Sequence, residues 1–175
     1  MKTVKETLQA LYDGYQKRPL EDIDTFMDLF SRSDHVEMIG IGATEPGAYE
    51  WFRGHQAIKE IIISDWTYWG DVTFQVDKAH IQELGQTAWF TTYGQLTQNT
   101  DNSDSMPFFK EQMMAFFESD LDPSDQMFEA VHFGIRRLLE KNRGIGASYK
   151  LVITGLLVKE DKWRFQMLHW SMPVD

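Results

Sequence analysis

Two long apolar segments near the end of the sequence constrain the fold most strongly. Residues 149–158 and 163–172 flank the short polar run 159–162, a pattern typical of a β-hairpin. Both segments carry apolar residues on both faces of the expected strands, so we expect both faces to be covered. One face should pack on helices, and the other should meet a partner or line a cavity.

Further strands are predicted upstream of this hairpin. Apolar and polar residues alternate over 72–76 and again over 87–96, with a turn around Gly85 between them. The short apolar segment 36–41 predicts one more strand, followed by a glycine-rich and proline-containing loop. The second half of the chain is therefore expected to be mostly sheet.

Three helices are predicted before most of the sheet. The first is marked by apolar residues at helical spacing, the second opens at Pro19 and ends near Phe30, and the third runs from about His55 to Gly70. The apolar stripe of the first helix comprises Val4, Leu8, Leu11, Tyr12 and Tyr15.

Residues 97–148 interrupt the strand series with two helical patterns. Ser124 is expected to cap the second helix, which begins with acids, ends with bases and is followed by Gly144, an order that complements the helix dipole. We interpret the chain as a single domain, residues 1–175, with a helical insertion at about 97–148. The apolar stripes comprise Phe108, Phe109, Met113, Phe116 and Phe117 in one helix, and Met127, Phe128, Val131, Ile135, Leu138 and Leu139 in the other.

The apolar stripes of the insertion have to be buried, because soluble monomers avoid large exposed apolar patches. Two destinations are open: a lid over a pocket mouth, which we favour because Phe and Met form adaptable surfaces, or an arm that reaches a second subunit. The first half of the insertion is strongly acidic and should face solvent.

Composition narrows the classes of partner. Seventeen Lys and Arg against 27 Asp and Glu give a net charge of −10, which repels nucleic-acid phosphates and anionic lipid. The absence of cysteine excludes disulfides, thiolate metal sites and cysteine nucleophiles.

The chain start lacks the apolar core of a signal peptide, and no apolar run approaches the roughly 18 residues of a membrane span. We therefore expect a cytoplasmic protein that binds neither nucleic acid nor membrane.

The order of these elements and several motifs resemble the SnoaL-like, ketosteroid-isomerase-like branch of the nuclear transport factor 2-like superfamily. The resemblance covers roughly residues 1–96 and 149–173. The motifs that carry it are Asp22-Ile23-Asp24, Met27-Asp28-Leu29-Phe30, Val36-Glu37-Met38-Ile39-Gly40, Gly54 with Ala57-Ile58, Gly155-Leu156-Leu157-Val158-Lys159-Glu160, Trp163-Arg164-Phe165 and His169-Trp170-Ser171-Met172-Pro173.

This resemblance implies an α+β, cone-shaped fold, in which three N-terminal helices pack on a curved mixed sheet around a pocket. Members of the family include isomerases, cyclases, dehydratases and proteins that only bind or associate, so the fold leaves the reaction open. Family members commonly pair through the outer face of the sheet, which predicts a homodimer.

The resemblance also bears on catalysis. The catalytic carboxylate of the isomerases aligns with Met38, and methionine cannot remove a proton from carbon, so steroid-isomerase chemistry is not expected. Glu37 is adjacent, but on a strand it points to the opposite face. Tyr15 or Tyr12 lies close to the family's donor tyrosine, although ordinary core packing is the favoured interpretation of both residues.

His169 is the best catalytic candidate, because imidazole titrates near neutrality. It is predicted to share a strand face with Trp163, Phe165, Met167 and Ser171, where a satisfied core histidine is the more common interpretation. Glu45, Asp65 and Glu37 are its possible carboxylate partners; Glu45 lies in a glycine-bordered loop, where a solvated charge is the simpler interpretation. The candidate ligand-binding residues are Tyr15, Glu45, Trp66, Trp89, Tyr93 and His169.

No metal or cofactor site is predicted. The five histidines are scattered, without the spacing of metal ligands on one element. Gly40 and Gly42 lack the third glycine and the following helix of a dinucleotide-binding motif. The family resemblance, together with an expected convergence of Trp66, Trp89, Tyr93 and His169, predicts a protein that binds a small apolar or aromatic molecule in the cone pocket, with its enzymatic role open. The alternative is a non-catalytic association module that uses the outer sheet face and the insertion.

Overall fold

The structure is a computed structural model that describes residues 3–47, 50–99, 105–141 and 145–172. Side chains are described within these ranges except at 105–108 and 136–141. The described residues form two compact units. Residues up to 97 and from 148 onward make the first unit, and residues 98–147 make the second.

Helix α1 (Val4–Lys17) begins with a reciprocal capping box, in which Thr3 Oγ1 accepts from Glu6 N and the Glu6 carboxylate accepts from Thr3 N. It ends at Arg18, which adopts a left-handed backbone conformation with φ of 49°. The stripe predicted for this helix is confirmed except at Tyr12, which is half-buried. Its fully buried members are Val4, Leu8, Leu11 and Tyr15.

The second predicted helix is much shorter than expected. A 3₁₀ turn (Leu20–Asp22) leads into helix α2 (Ile23–Met27). The helix stops because the following backbone joins the sheet: Ser31 N donates to Phe165 O at 2.8 Å, and Phe165 N donates to Leu29 O at 2.8 Å. Backbone groups that bond to a strand are not available to continue a helix.

The third helix ends at Gly70, as predicted, but its last turn is wider than an α-helix. Helix α3 (Gly54–Ser64) passes into a π-helical segment (Asp65–Trp69), and Gly70 follows with φ of 125°. A Cβ atom at Gly70 would lie 2.7 Å from the backbone oxygen of Thr97, so both conformation and space require glycine here.

Within the described part of the chain, seven strands form one open, mixed sheet. They are β1 (Glu37–Ile39), β2 (Trp51–Arg53), β3 (Asp71–Phe74), β4 (His80–Leu84), β5 (Thr87–Thr97), β6 (Ser148–Lys159) and β7 (Trp163–Ser171). The order is β2-β1-β7-β6-β5-β3, and β4 also pairs with β5. The β1–β7 pair is parallel and the others are antiparallel. The predicted α+β fold and the hairpin of β6 and β7 are confirmed, whereas β2 and β4 are additional strands.

A β-bulge in β7 decides which side chains share a face. Leu156 pairs with Met167, but the next residue, Leu157, pairs with Phe165, so Gln166 is the extra residue of the bulge. Because one inserted residue reverses the alternation, Trp163 and Phe165 share a face with Leu168 and Trp170. The prediction that His169 shares a face with Trp163 and Phe165 is therefore wrong.

The second unit contains the two predicted helices, α4 (Ser105–Phe117) and α5 (Pro123–Lys141). They pack through Phe133, whose ring stacks on Phe109 at 5.8 Å and meets Phe116 at 5.6 Å. Asp122, and not Ser124, caps α5: its Oδ1 accepts from the backbone nitrogens of Ser124 at 2.8 Å and Asp125 at 3.2 Å. Phe108, Leu138, Leu139 and Gly144 of the predicted pattern lie outside the described side chains or residues.

Candidate functional site

The helix-facing side of the sheet is lined by a continuous group of aromatic rings, here called the inner aromatic cluster. Neighbouring rings meet mostly edge-on, with centroids 4.8–6.3 Å apart, the geometry that aromatic pairs prefer. The cluster comprises Tyr15, Phe26, Trp66, Trp69, Phe74 and Trp170.

Tyr15 is the polar centre of this cluster. Its side chain is 2% exposed, and its hydroxyl donates to Asp65 Oδ2 at 3.1 Å. Burial, followed by the negative charge of Asp65 and the hydrogen bond to it, raises the pKa of Tyr15 well above its usual 10.0. The hydroxyl therefore stays protonated at neutral pH and acts as a hydrogen-bond donor.

Two tryptophans of this cluster contact Tyr15, and each carries a buried indole N–H group. The rings of Trp66 and Trp170 lie 6.3 Å and 5.2 Å from the Tyr15 ring, and the two side chains are 3% and 1% exposed. Among the described residues, neither indole N–H has a hydrogen-bond partner. A buried N–H group without a partner costs about 1–3 kcal/mol, so an acceptor at this position would stabilise the protein.

Arg18 holds the parts of this site together. Its guanidinium donates to the backbone oxygens of Trp66 at 3.2 Å and Gly70 at 2.6 Å, and to Asp71 Oδ1 at 2.7 Å. The Arg18 side chain therefore connects the end of α1 with the π-helical segment and the residue that follows it. Tyr15 and Asp65, which are distant in sequence, are thereby fixed on adjoining elements.

The opposite side of the sheet, here called the outer face, carries a second group of side chains. Trp89 and Tyr93 are 44% and 52% exposed, and Val152 is 37% exposed. Cross-strand partners share a face, so the register defines three rows across β5, β6 and β7. These rows are Trp89 with Leu156 and Met167, Thr91 with Thr154 and His169, and Tyr93 with Val152 and Ser171.

His169 lies on this outer face, half-buried between Thr154 and Ile39. Burial lowers the pKa of His169 below its ordinary 6.5, because desolvation disfavours the charged imidazolium. Asp65, one of its predicted partners, is bound to Tyr15 on the other side of the sheet. Glu37 points outward as predicted, where it pairs with Arg53 at 3.0 Å.

The structure separates the predicted ligand-binding residues into three places. Tyr15 and Trp66 lie together in the inner aromatic cluster, whereas Trp89, Tyr93 and His169 lie on the outer face. The expected convergence of Trp66 with those three residues is not observed, because strand alternation and the bulge turn them to the opposite side. Glu45 is exposed in its loop.

Asp65 and Trp170 belong to the inner site but were not among the predicted ligand-binding residues. The alternation of β7 points Trp170 inward only once the bulge is counted, and Asp65 lies at the start of the π-helical segment, within hydrogen-bond distance of Tyr15. Within the described residues, no group of three or more His, Asp or Glu side chains is arranged to hold a metal ion. None of the described helices combines the length and apolar character needed to cross a membrane.

Comparison with known families agrees with this geometry. Residues 4–122 match the SnoaL-like domain. The chain belongs to the SnoaL-like family. The match covers all three N-terminal helices and strands β1–β5 of this SnoaL-like protein, and thus most of the elements around Tyr15. Among curated proteins, none matches the sequence.

Solved structures share the fold of this SnoaL-like protein at low sequence identity. A candidate dehydratase of the NTF2-like family from Streptomyces avermitilis is 15% identical, with coverage of 98% of this chain and 95% of that chain and a TM-score of 0.58. A ketosteroid isomerase-like protein from Erwinia carotovora atroseptica is 12% identical, with coverage of 98% and 95% and a TM-score of 0.56. A candidate calcium/calmodulin-dependent protein kinase type II association domain from Thiobacillus denitrificans is 17% identical, with coverage of 99% and 98% and a TM-score of 0.56.

Proposed function

We propose that this SnoaL-like protein binds a small apolar or aromatic molecule at the inner aromatic cluster. The observation that carries the proposal is the pair of buried indole N–H groups of Trp66 and Trp170, which have no hydrogen-bond partner among the described residues and belong to rings that both contact Tyr15. Ligand sites are commonly lined by rings, with a few polar groups that fix orientation. The two indoles and the Tyr15–Asp65 pair supply that combination.

His169 has no part in this inner site, since it lies on the other side of the sheet. The family's relatives include a candidate dehydratase, so turnover is worth testing as well as binding. The proposal assigns the orienting role to Tyr15 and the two indoles, and it assigns to Asp65 the role of holding the Tyr15 hydroxyl.

The test is a titration of the full chain with a panel of small aromatic and alicyclic molecules, followed by tryptophan fluorescence. The wild-type protein should show saturable changes with some members of the panel. Trp170→Phe keeps the aromatic packing but removes one N–H donor, and it should weaken binding by about 5–10-fold, the equivalent of one hydrogen bond. Trp89→Phe, on the outer face, is the matched control and should leave the affinity unchanged.

Two results would overturn the proposal. One is the absence of saturable binding across the panel, with the fold intact by circular dichroism. The other is the reverse pattern, in which Trp89→Phe reduces the affinity and Trp170→Phe does not.

Self-association through the outer face is a second candidate function. Trp89 and Tyr93 are large aromatic side chains exposed on the same face of β5, one row apart on either side of Thr91, and soluble monomers rarely expose large apolar patches. The similarity to an association domain adds to this proposal. A stable homodimer through this face should bury on the order of 2,000 Å² in total.

Light scattering at micromolar concentration tests the homodimer. The wild-type chain should have the mass of a dimer, and Tyr93→Lys should shift it toward the monomer. Tyr68→Lys is the control, because Tyr68 is 64% exposed but lies in the π-helical segment and not on the sheet. A monomeric mass for the wild-type chain contradicts this second proposal.

A further inference from the structure

Helix α5 is apolar on two sides, and among the described side chains one of these sides packs within its own unit. Ala130 is 1% exposed and Phe133 packs on the rings of α4, so this side forms the contact between α4 and α5. The other side is exposed along two turns and is here called the α5 stripe. The α5 stripe comprises Met127, Phe128, Val131 and Ile135, which are 63%, 62%, 52% and 49% exposed.

The spacing of these residues defines a packing surface. Positions 127, 131 and 135, together with 128, fall at intervals of three and four, which place side chains in adjacent rows on one helix face. Rows of this kind are the ridges through which two helices interdigitate. The α5 stripe is therefore shaped to receive a second helix.

The charges along α5 indicate which helix would pack on the α5 stripe. Asp122, Asp125 and Glu129 precede or accompany the first half of the α5 stripe. Arg136, Arg137 and Lys141 follow it, with Glu140 as the one acid among them. The sign of the charge thus reverses about the middle of the stripe, near Val131.

A pattern that reverses about its own centre is complementary to a second copy of itself in antiparallel orientation. A two-fold axis at Val131 would bring the acidic start of one α5 against the basic end of the other, and would also oppose the two helix dipoles favourably. Like charges crowd the acidic start in the single chain: the charge of Asp122, then the hydrogen bond with it, raises the pKa of Asp125.

We propose that α5 pairs with α5 of a second copy of this chain, antiparallel and centred on Val131. This contact is distinct from the outer sheet face and does not depend on ligand binding at the inner aromatic cluster. The insertion then acts as an arm in assembly, and not as a lid.

The absence of cysteine in the chain allows a disulfide test of this geometry in the full-length protein. Val131→Cys should form a cross-linked dimer under mild oxidation, because the two-fold axis brings the two copies of position 131 together. Met127→Cys, which is equally accessible, should form far less, since its copies would lie about 12 Å apart along the axis. An equimolar mixture of Met127→Cys and Ile135→Cys should again cross-link, because those positions face each other.

A charge exchange in the Val131→Cys background tests the orientation. Asp125 and Arg136 are about three turns apart on the same flank of α5, too far to pair within one helix. Asp125→Arg and Arg136→Asp should each slow cross-linking several-fold, and the double variant should restore the rate. Helicity measured by circular dichroism checks that each variant folds.

Three results would overturn the proposal. The first is the absence of cross-linking by Val131→Cys in folded protein, which would indicate that the α5 stripe is covered within one chain or by another partner. The second is equal cross-linking of Val131→Cys and Met127→Cys, which would indicate unspecific collisions. The third is a double charge variant as slow as the single ones.

Discussion

The guanidinium of Arg164 is buried and contacts both the backbone oxygen and the carboxylate of Asp28. Asp28 follows α2 and Arg164 lies near the start of β7, so this pair fastens the second helix to the sheet. Asp161 and Glu160 complete the surroundings of the guanidinium, at 3.0 Å and 3.1 Å. A charge that is fully enclosed needs all of these partners, because its desolvation is costly.

Replacing Asp28 by asparagine should destabilise the fold. The variant Asp28→Asn removes the charge opposite Arg164 and Lys162 but keeps the shape of the side chain. We expect the free energy of unfolding to fall by about 1–3 kcal/mol at pH 7. Urea denaturation followed by tryptophan fluorescence measures the change. Asp34→Asn, at an exposed position, is the control, and an equal loss in both variants would contradict the prediction.

The same pair predicts how stability responds to acid. The hydrogen bond from Lys162, aided by Arg164 and only partly opposed by desolvation, lowers the pKa of Asp28 from 3.8 to about 2. A carboxyl with a depressed pKa in the folded state contributes stability above its unfolded value of 3.8, and loses it as the pH falls toward 2. The contribution should be about 1 kcal/mol, because the carboxylate is 42% exposed and therefore screened. The difference between wild type and Asp28→Asn should shrink across this range, and a constant difference would be inconsistent with it.

Tyr15 should remain protonated in the folded protein at alkaline pH. Its pKa is raised in the folded state, so the stability it contributes is fully present below the ordinary value of 10.0 and is lost as the pH rises through the folded value. The ultraviolet difference spectrum between wild type and Tyr15→Phe should show tyrosinate only when the protein unfolds. Ionisation of this group at pH 10 in folded protein would show that Tyr15 is solvated.

His169 should be neutral at pH 7. Its folded pKa is lowered, so any stability linked to it is present above 6.5 and declines as the pH falls below that value. Proton NMR can follow the imidazole signal, assigned by its absence in His169→Gln. We expect the titration of the imidazole to have its midpoint below pH 6.5. A midpoint above 6.5 would mean that a carboxylate, and not burial, governs this histidine.

Two helical glycines should respond to alanine in opposite ways. A Cβ at Gly14 would lie 2.0 Å from Cε2 of Phe26, whereas a Cβ at Gly134 would meet nothing within 4 Å. We expect Gly14→Ala to destabilise the protein by about 1–3 kcal/mol through overpacking. Gly134→Ala should stabilise α5 by about 0.5–1 kcal/mol, because alanine favours helix. Thermal unfolding of both variants measures the difference, and stabilisation by Gly14→Ala would show that Phe26 moves freely.

The sequence predicted the elements whose signals are local. The stripe of α1 and the polar turn between β6 and β7 depend on neighbours within a few residues, and both are confirmed. The early end of α2 was missed because it depends on Phe165, a distant pairing that competes with helix formation. The short strands β2 and β4 carry too few residues for a clear alternation.

The candidate site was less predictable because it depends on which face of a helix or strand each side chain occupies. Tyr15 and Trp66 share a cluster as expected of adjoining helices, but the placement of His169 required the bulge at Gln166 to be known. A bulge leaves the composition of a strand unchanged, so periodicity alone does not reveal it. The hydrogen bond between Tyr15 and Asp65 likewise joins residues fifty positions apart, and no local pattern specifies that contact.

The bulge has a consequence for how this sequence can diverge. Phe165 and Leu168 are three residues apart in the chain, yet both face the interior. Mutations accepted on one side of β7 therefore fall on every second residue, and the phase of that pattern shifts at Gln166. Substitutions on one face can leave the other face intact, whereas a homologue without the extra residue would turn the side chains on one side of the bulge to the opposite face.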